Sequence, residues 1–295
     1  PPVSGGGPTP IPSPSVSPSP VPSPTPTPSP SPSPSPTPSP SPGLTTLYLS
    51  PSSGGVVGGV SAADEDILAF DGVNFSMYFD GSDVGVGGLK LGAFDIQSDG
   101  SILMSFTAPA AIPGILGTVD DSDIVKFTPA SLGDNTSGTF EFYFDGSDVG
   151  LSNDSEEIDV ITRLPDGRLL LSTTDNVSVT AVSGKDEDIL AFVPTSLGTT
   201  TSGSYSWYFD GSDVGLANSS SEDVDGLSVD GSGVLYLSTN GAFTVTGLSG
   251  NGEDVFKFQA TSLGDTTAGT YLAPLFFDGS NLGLGTIKVS NIDLP

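Results

Sequence analysis

The 295-residue chain has no cysteine, no histidine, one tryptophan, two methionines and seven basic residues. Without cysteine there are no disulfides, no thiol chemistry and no zinc–thiolate sites, and the redox compartment stays open. Without histidine a Ser-His-Asp triad or an imidazole metal site is impossible. The seven bases face thirty-five acids, a formal net charge of −28, and every charged side chain lies after residue 43. A field of that sign repels nucleic acid and anionic membranes, so the expected partners are cations, sugars or basic surfaces. No apolar run approaches membrane-spanning length, and no membrane insertion is expected. With no signal segment ahead of Pro1, the chain reads as a mature, processed form.

What is abundant comes in two parts, residues 1–43 and residues 44–295. From Pro8 to Pro42 every even position is proline except Val16, and every odd position is serine or threonine except Ile11 and Val21. Proline fixes φ, removes an amide donor and holds its predecessor extended, so the tract is expected to form a polyproline II stalk. At roughly 3.1 Å per residue it would reach on the order of 100 Å. Its hydroxyls visit all three faces, which suits either a stiff spacer or a densely O-glycosylated stalk. The glycan acceptors expected on the second reading are Ser13, Thr25, Thr27, Ser29, Ser31, Ser33, Ser35, Thr37, Ser39 and Ser41. The tract also resembles the alternating Ser-Pro modules of plant and algal cell-wall glycoproteins, where hydroxyproline carries the sugar. That resemblance adds Pro30, Pro32, Pro34 and Pro36 as acceptors.

The second part repeats. YFDGSDVG occurs at 78–85, 143–150 and 208–215, and a worn copy, FFDGSNLG, at 276–283. The aspartates that open these motifs, Asp80, Asp145, Asp210 and Asp278, are 65, 65 and 68 residues apart. Each unit holds four strand-like runs, in the second unit TFEFYF, IDVITRL, RLLLST and DILAFVP. Strict alternation would place Phe140, Phe142 and Phe144 on one face, and likewise Tyr205, Trp207 and Phe209. The region opens with LYLS, a third run, and closes with YLAPLFF and GTIKVSN, a first and a second. Three whole units and two complementary halves make four. The expected fold is therefore all-β: a permuted four-bladed β-propeller whose N- and C-terminal strands share one blade. A β-solenoid or an open array, with half units pairing between molecules, is the architectural alternative.

The phrases YFDGSDVGL, EEIDVITRLPDGRLLLST, DEDILAFVPTSLG and TTSGSYSWYFDGSDVGL resemble a repeat of secreted or surface-exposed bacterial proteins. The resemblance covers essentially residues 44–295 and implies no catalytic residue. The first unit departs from it by lacking the EEID segment, and the last in DGSN and TIKV. A repeat domain on a Ser-Pro stalk is also similar to a subunit of a glycan-coated extracellular fibril.

Each unit is expected to bring two acidic groups to one loop level. The DGSD turns supply Asp80 and Asp83, Asp145 and Asp148, and Asp210 and Asp213. The second clusters are Asp64, Glu65 and Asp66; Asp120, Asp121 and Asp123; Asp186, Glu187 and Asp188; and Glu253 with Asp254. A third set, Glu156, Glu157 and Asp159, is echoed only by Glu222, Asp223 and Asp225. Close carboxylates repel one another and are hard donors, which makes calcium the leading ion; no organic cofactor is expected. The stronger reading of the same residues is as turn formers that satisfy loop amides and keep an extracellular protein dissolved. DGSDVG lacks the helix-loop-helix spacing, so any calcium site would be assembled from separate loops. Paired carboxylates can hydrolyse glycosides, but blade-by-blade repetition argues against an active site.

Five N-x-S/T sequons occur, at Asn74, Asn135, Asn153, Asn176 and Asn218; Asn74 and Asn135 precede expected strands and are the preferred glycan sites. Aromatics such as Trp207 are expected to pack between blades, and GGVVGG at 54–59 to form a flexible turn. The functional expectation is a non-enzymatic extracellular or cell-surface structural protein. Its stalk would link subunits head to tail into a glycosylated filament. A calcium-dependent adhesin or carbohydrate-binding module on a passive stalk is the competing class.

Overall fold

Four sheets of four antiparallel strands are arranged as blades around an axis. The computed structural model describes residues 1–2, 5–7 and 46–295, apart from 154 and 218. The stalk expected at 8–42, with all its Ser, Thr and Pro glycan acceptors, lies outside the described residues. Blade one runs from the axis outward as Leu91–Ile96, Ile102–Phe106, Ile124–Ser131 and Ser137–Phe144. Blade two is Ile158–Arg163, Leu169–Thr173, Ile189–Ser196 and Ser202–Phe209. Blade three is Gly226–Val229, Val234–Ser238, Val255–Ser262 and Ala268–Phe277.

The closing blade takes Val289–Asp293 from the C terminus as its inner strand and completes itself with Leu47–Pro51, Ile67–Phe70 and Phe75–Phe79. Tyr48 pairs with Asp293, Leu49 with Ile292 and Ser50 with Asn291. The two chain ends therefore share a blade, as the permuted repeat requires. The division differs from the two-plus-two expectation, because the aromatic run is not the partner of the run that follows it. TFEFYF closes blade one as its outer strand, and the chain then crosses to the axis to start blade two. One C-terminal strand consequently meets three N-terminal ones.

The YFDG motif is the joint between blades, and each letter has a separate duty. The tyrosine is the extra residue of a β-bulge: Ile124 pairs with Phe144 and Val125 with Phe142, which leaves Tyr143 unmatched. Tyr78 and Tyr208 are skipped in the same way. A one-residue insertion turns the next side chain to the opposite face. This corrects the simple alternation: Phe140 and Phe142 pack toward the closing blade, whereas Phe144 packs toward blade two. Tyr205 and Trp207 face blade one, and Phe209 faces blade three.

The reversed phenylalanine is then buried against a phenylalanine of the next blade. Phe79 meets Phe127 at 5.1 Å and 75°, Phe144 meets Phe192 at 5.2 Å and 85°, and Phe209 meets Phe258 at 5.6 Å and 79°. The circuit closes with Phe277 on Phe70 at 5.4 Å and 75°. All four are edge-to-face pairs, the geometry aromatic quadrupoles favour. Each lies within one of four apolar clusters, one per blade junction, so the core is divided among the joints. The ring of the receiving phenylalanine also covers a glycine of its own blade. A Cβ on Gly138, Gly203 or Gly269 would come within 2.5 Å of the Phe127, Phe192 or Phe258 ring tip, which explains the recurrent SG and AG dipeptides that open the outer strands.

Three short hairpins, Gly55–Val57 with Val60–Ala62, Val177–Val179 with Val182–Gly184, and Phe243–Val245 with Leu248–Gly250, sit between second and third strands. GGVVGG is thus ordered rather than a flexible turn: Gly58 and Gly59, with φ of 53° and 93°, form its tip.

Candidate functional site

The acidic loops at the blade junctions are where the sequence concentrates its candidate ligands, and the fold does bring the two groups together. In each blade the last acid of the second cluster reaches the glycine of the DG dipeptide. Asp66, Asp123, Asp188 and Asp254 accept the N–H of Gly81, Gly146, Gly211 and Gly279 through Oδ1 at 2.9–3.0 Å. Their Oδ2 atoms accept the N–H of Ala63, Asp120, Lys185 and Asn251 at 2.8 Å. All four carboxylates are buried, and burial is the first cause that raises their pKa, with Asp123 and Asp188 pushed to about 6. The glycine is demanded by close approach. A Cβ on Gly81, Gly146, Gly211 or Gly279 would lie 2.0–2.7 Å from the carbonyl oxygen of Glu65, Ser122, Glu187 or Glu253. The three DGSD glycines have φ of −66° to −67°, so DG here is not a hairpin turn; it leads into a 3-10 turn ending at Gly85, Gly150 or Gly215.

The DGSD aspartates fasten one blade to the next. Asp80, Asp145 and Asp210 accept the hydroxyl of Ser82, Ser147 and Ser212. Asp83, Asp148 and Asp213 each accept a backbone N–H at 2.9 Å from Thr136, Thr201 or Thr267 on a loop of the following blade. The same threonine hydroxyls accept the N–H of Asp80, Asp145 and Asp210 at 2.9–3.0 Å. Beside them the bulged Tyr78, Tyr143 and Tyr208 carbonyls accept the N–H of Gly133, Gly198 and Gly264.

Among the described residues, the fourth junction lacks this latch. The closing blade joins its outer strands by the short turn Asp71–Asn74, whose Asp71 holds the amides of Val73 and Asn74. No threonine loop arrives, and the DGSN copy carries Asn281 where the others carry aspartate, with its side-chain amide donated to Asp278. The worn repeat is therefore worn where its partner is missing.

Asp64 and Asp121 contribute their carbonyls, which accept the N–H of Leu91 and Ile158 at the start of the next inner strand, and Asp186 does so for Val224, just ahead of one; Gly252 does this for Val289, beside Glu253. Among the described residues, the carboxylates that gather in threes with oxygens within 4.8 Å of one another are none of these. They are Asp159, Asp223 and Asp225 at the axis, from the third acidic set of the sequence, which recurs in only two units. Glu156, by contrast, holds loop amides of Ser152 and Asn153. The preferred sequon residues Asn74 and Asn135 are both exposed on turns joining third and fourth strands. Asn218 lies outside the described residues.

The axis carries two polar tiers. In the lower one the side chains at one register link all four blades. Asp293 Oδ2 accepts from Ile96 N, Asp95 Oδ2 from Arg163 N, Thr162 Oγ1 donates to Leu227 O, and Ser228 Oγ accepts from Leu294 N and donates to Asp293 Oδ1. Burial and then the facing Asp293 carboxylate push Asp95 well up, and burial pushes Asp293 to about 6. In the upper tier burial comes first again, followed by neighbouring acids for Asp159 and Asp223 and by the opposing charges of Lys90 and Lys288 for Asp225 and of Lys90 for Glu157. Asp159 is raised by burial and by Asp223, Asp225 and Glu157; Asp223 is raised to about 9, and Asp225 and Glu157 to about 7.

At the rim, each latched junction leaves a shallow groove. One lies between the turn at 147–150, the hairpin tip at Thr180 and Ala181, and outer-strand residues 202–205. Equivalent grooves flank 212–215 with 267–271, and Asp83 and Val84 with 137–140. Their volumes are about 530, 540 and 520 Å³. Each runs beside an outermost strand that is paired on one side only.

No family model matches the chain, and no curated protein matches it. Among solved structures it is similar to a catalytically inactive virginiamycin B lyase from Staphylococcus aureus with quinupristin, at 11% identity and a TM-score of 0.31 over 77% of this chain. It is also similar to the extracellular domain of a putative one component system from B. thetaiotaomicron, at 13% identity and a TM-score of 0.32 over 85% of this chain. The alignments span 56% and 36% of those two chains.

Proposed function

We propose that the protein is a non-catalytic, extracellular structural subunit, in which the Pro-rich tract of one copy docks on the ring of the next to build a glycan-coated filament. The observation that carries this reading is the combination, in one chain, of three equivalent grooves beside open strand edges and a proline-rich sequence of the kind expected to be extended. The grooves at 202–205, 267–271 and 137–140 include Tyr205, Tyr271 and Phe140, and aromatic-lined grooves are the usual receptors of polyproline II segments. A stiff tract loses little entropy on docking. Such a contact joins unlike surfaces, so it does not close on itself but propagates.

Two further points support the reading. The ring is closed within one chain, so among the described residues no half blade is left over to join copies. The junction carboxylates are engaged by backbone amides, which suits a scaffold better than an acid–base pair. Exposed Asn74 and Asn135 give N-glycans room at the rim, and glycans on the tract would coat the filament.

The test is deletion of residues 1–42 followed by electron microscopy and size-exclusion chromatography. Folded monomers are expected; filaments that persist reject the tract as connector. Glycan-array binding abolished by chelation, in a full-length chain that does not self-assemble, would favour the adhesin class instead.

A further inference from the structure

We propose that the funnel at one end of the propeller axis is a calcium site, with Asp159, Asp223 and Asp225 as its carboxylate ligands. The four inner strands begin in register: the amides of Leu91, Ile158, Val224 and Val289 are each tied to the preceding blade's loop. The residues just after these anchors, Gly92, Asp159, Asp225 and Ser290, therefore share one level, and the cavity of about 90 Å³ at the axis is lined by all four. The residues just before them, Lys90, Glu157, Asp223 and Lys288, form the level above. Their carbonyls accept the N–H of Thr107, Thr174, Asn240 and Ser52, which also line the cavity.

Two observations point to a missing cation. Asp159 is 4% exposed, and neither carboxylate oxygen has a hydrogen-bond partner. Ser290, on a different blade and outside the acidic group, is 5% exposed and its Oγ is likewise unpartnered; Asp223 Oδ1 is a fourth such atom. A charge or hydroxyl buried without a partner is strongly unfavourable. Lys90 and Lys288 act through space on Asp225, and Lys90 on Glu157, but among the described residues neither lysine forms an ion pair with the three axial carboxylates, and Lys288 instead donates to Asn240 at 3.2 Å.

The donor set selects the ion. Three carboxylates and a hydroxyl are hard oxygen donors, and the chain has no cysteine or histidine for softer metals. Carboxylate oxygens within 4.8 Å of one another fit inside the span of roughly 5 Å that two calcium–oxygen bonds bridge. The cavity leaves room for water to complete calcium's flexible shell. The ion would join blade two, through Asp159, to blade three, through Asp223 and Asp225, with Ser290 of the closing blade beside it.

The experiment uses the full chain stripped with a chelator and titrated calorimetrically with calcium chloride. Magnesium chloride and sodium chloride at matched ionic strength are the comparisons. One calcium per chain is expected at the axis, with a melting temperature that rises and saturates. Asp159→Asn and Asp223→Asn should weaken binding at least tenfold while melting, without calcium, no lower than the parent. That last measurement shows that they fold. Asp166→Asn, in an exposed ion pair with Arg168 away from the axis, should leave binding unchanged. Binding retained in both axial variants, no calcium response in the parent, or an equal response to magnesium would each overturn the assignment.

Discussion

Asp293, in the last strand of the chain, accepts the backbone N–H of Ile96 at 2.8 Å. The bond joins the C-terminal strand to the inner strand of blade one. It belongs to the belt of side-chain-to-backbone bonds that passes through Asp95, Thr162 and Ser228 before returning to Asp293. Because each member bonds to a neighbouring blade, the ring is fastened at the axis as well as at the rim.

Removing residues 289–295 should therefore do more than shorten a terminus. It deletes the closing blade's inner strand, exposes the edge of Leu47–Pro51 and breaks the belt at three bonds. The expected outcome is loss of a cooperative thermal transition by calorimetry. A truncated chain melting near the parent would show that closure contributes little.

The phenylalanine pegs make a graded test. Phe144 and Phe209 are fully buried between blades. Replacing either with alanine removes the ring and leaves a cavity, and should cost about 3–5 kcal/mol. Tyr143→Ala removes a partly buried side chain at the bulge while its backbone bond to Gly198 remains, and should cost less. Urea midpoints of the three variants order these costs.

The buried junction acids have a separable effect. Asp188 holds two amides, from Gly211 and Lys185, at 2.9 and 2.8 Å. Asp188→Ala leaves both donors unsatisfied, for roughly 2–4 kcal/mol in sum. Asn281→Asp should change stability little, because no threonine loop faces it. If that single change stabilises as much as Asp188→Ala destabilises, the explanation given for the worn repeat is wrong.

The lower axial belt predicts a pH response. Asp95 and Asp293 both titrate above their unfolded values, Asp293 at about 6. A raised folded pKa favours the folded state most at acid pH, and that benefit is lost as pH rises through the folded value. Without calcium the denaturation midpoint should fall between pH 5 and pH 8. Arg163 and the Tyr48, Tyr78 and Tyr143 hydroxyls adjoin the pair and do not reverse the sign. Asp95→Asn should flatten the profile; a midpoint that climbs toward pH 8 in both proteins refutes the account.

The sequence by itself determined the count of blades, their shared chain ends and the loop level of the acids, because repeats 65 residues apart must make the same local contacts each time. Even Asn281 at the worn motif was readable as a departure, though not its cause. Only the tertiary structure decided which way the motif's phenylalanine points, since a single bulged tyrosine reverses the face that alternation assigns. It likewise decided that aspartates reading as ligands hold amides, and that Asp159 lies beside Asp223 and Asp225. Hydrogen bonds and bulges within a unit recur with its letters, but proximity across the axis depends on closing the ring, and residues on different blades carry no spacing that announces it.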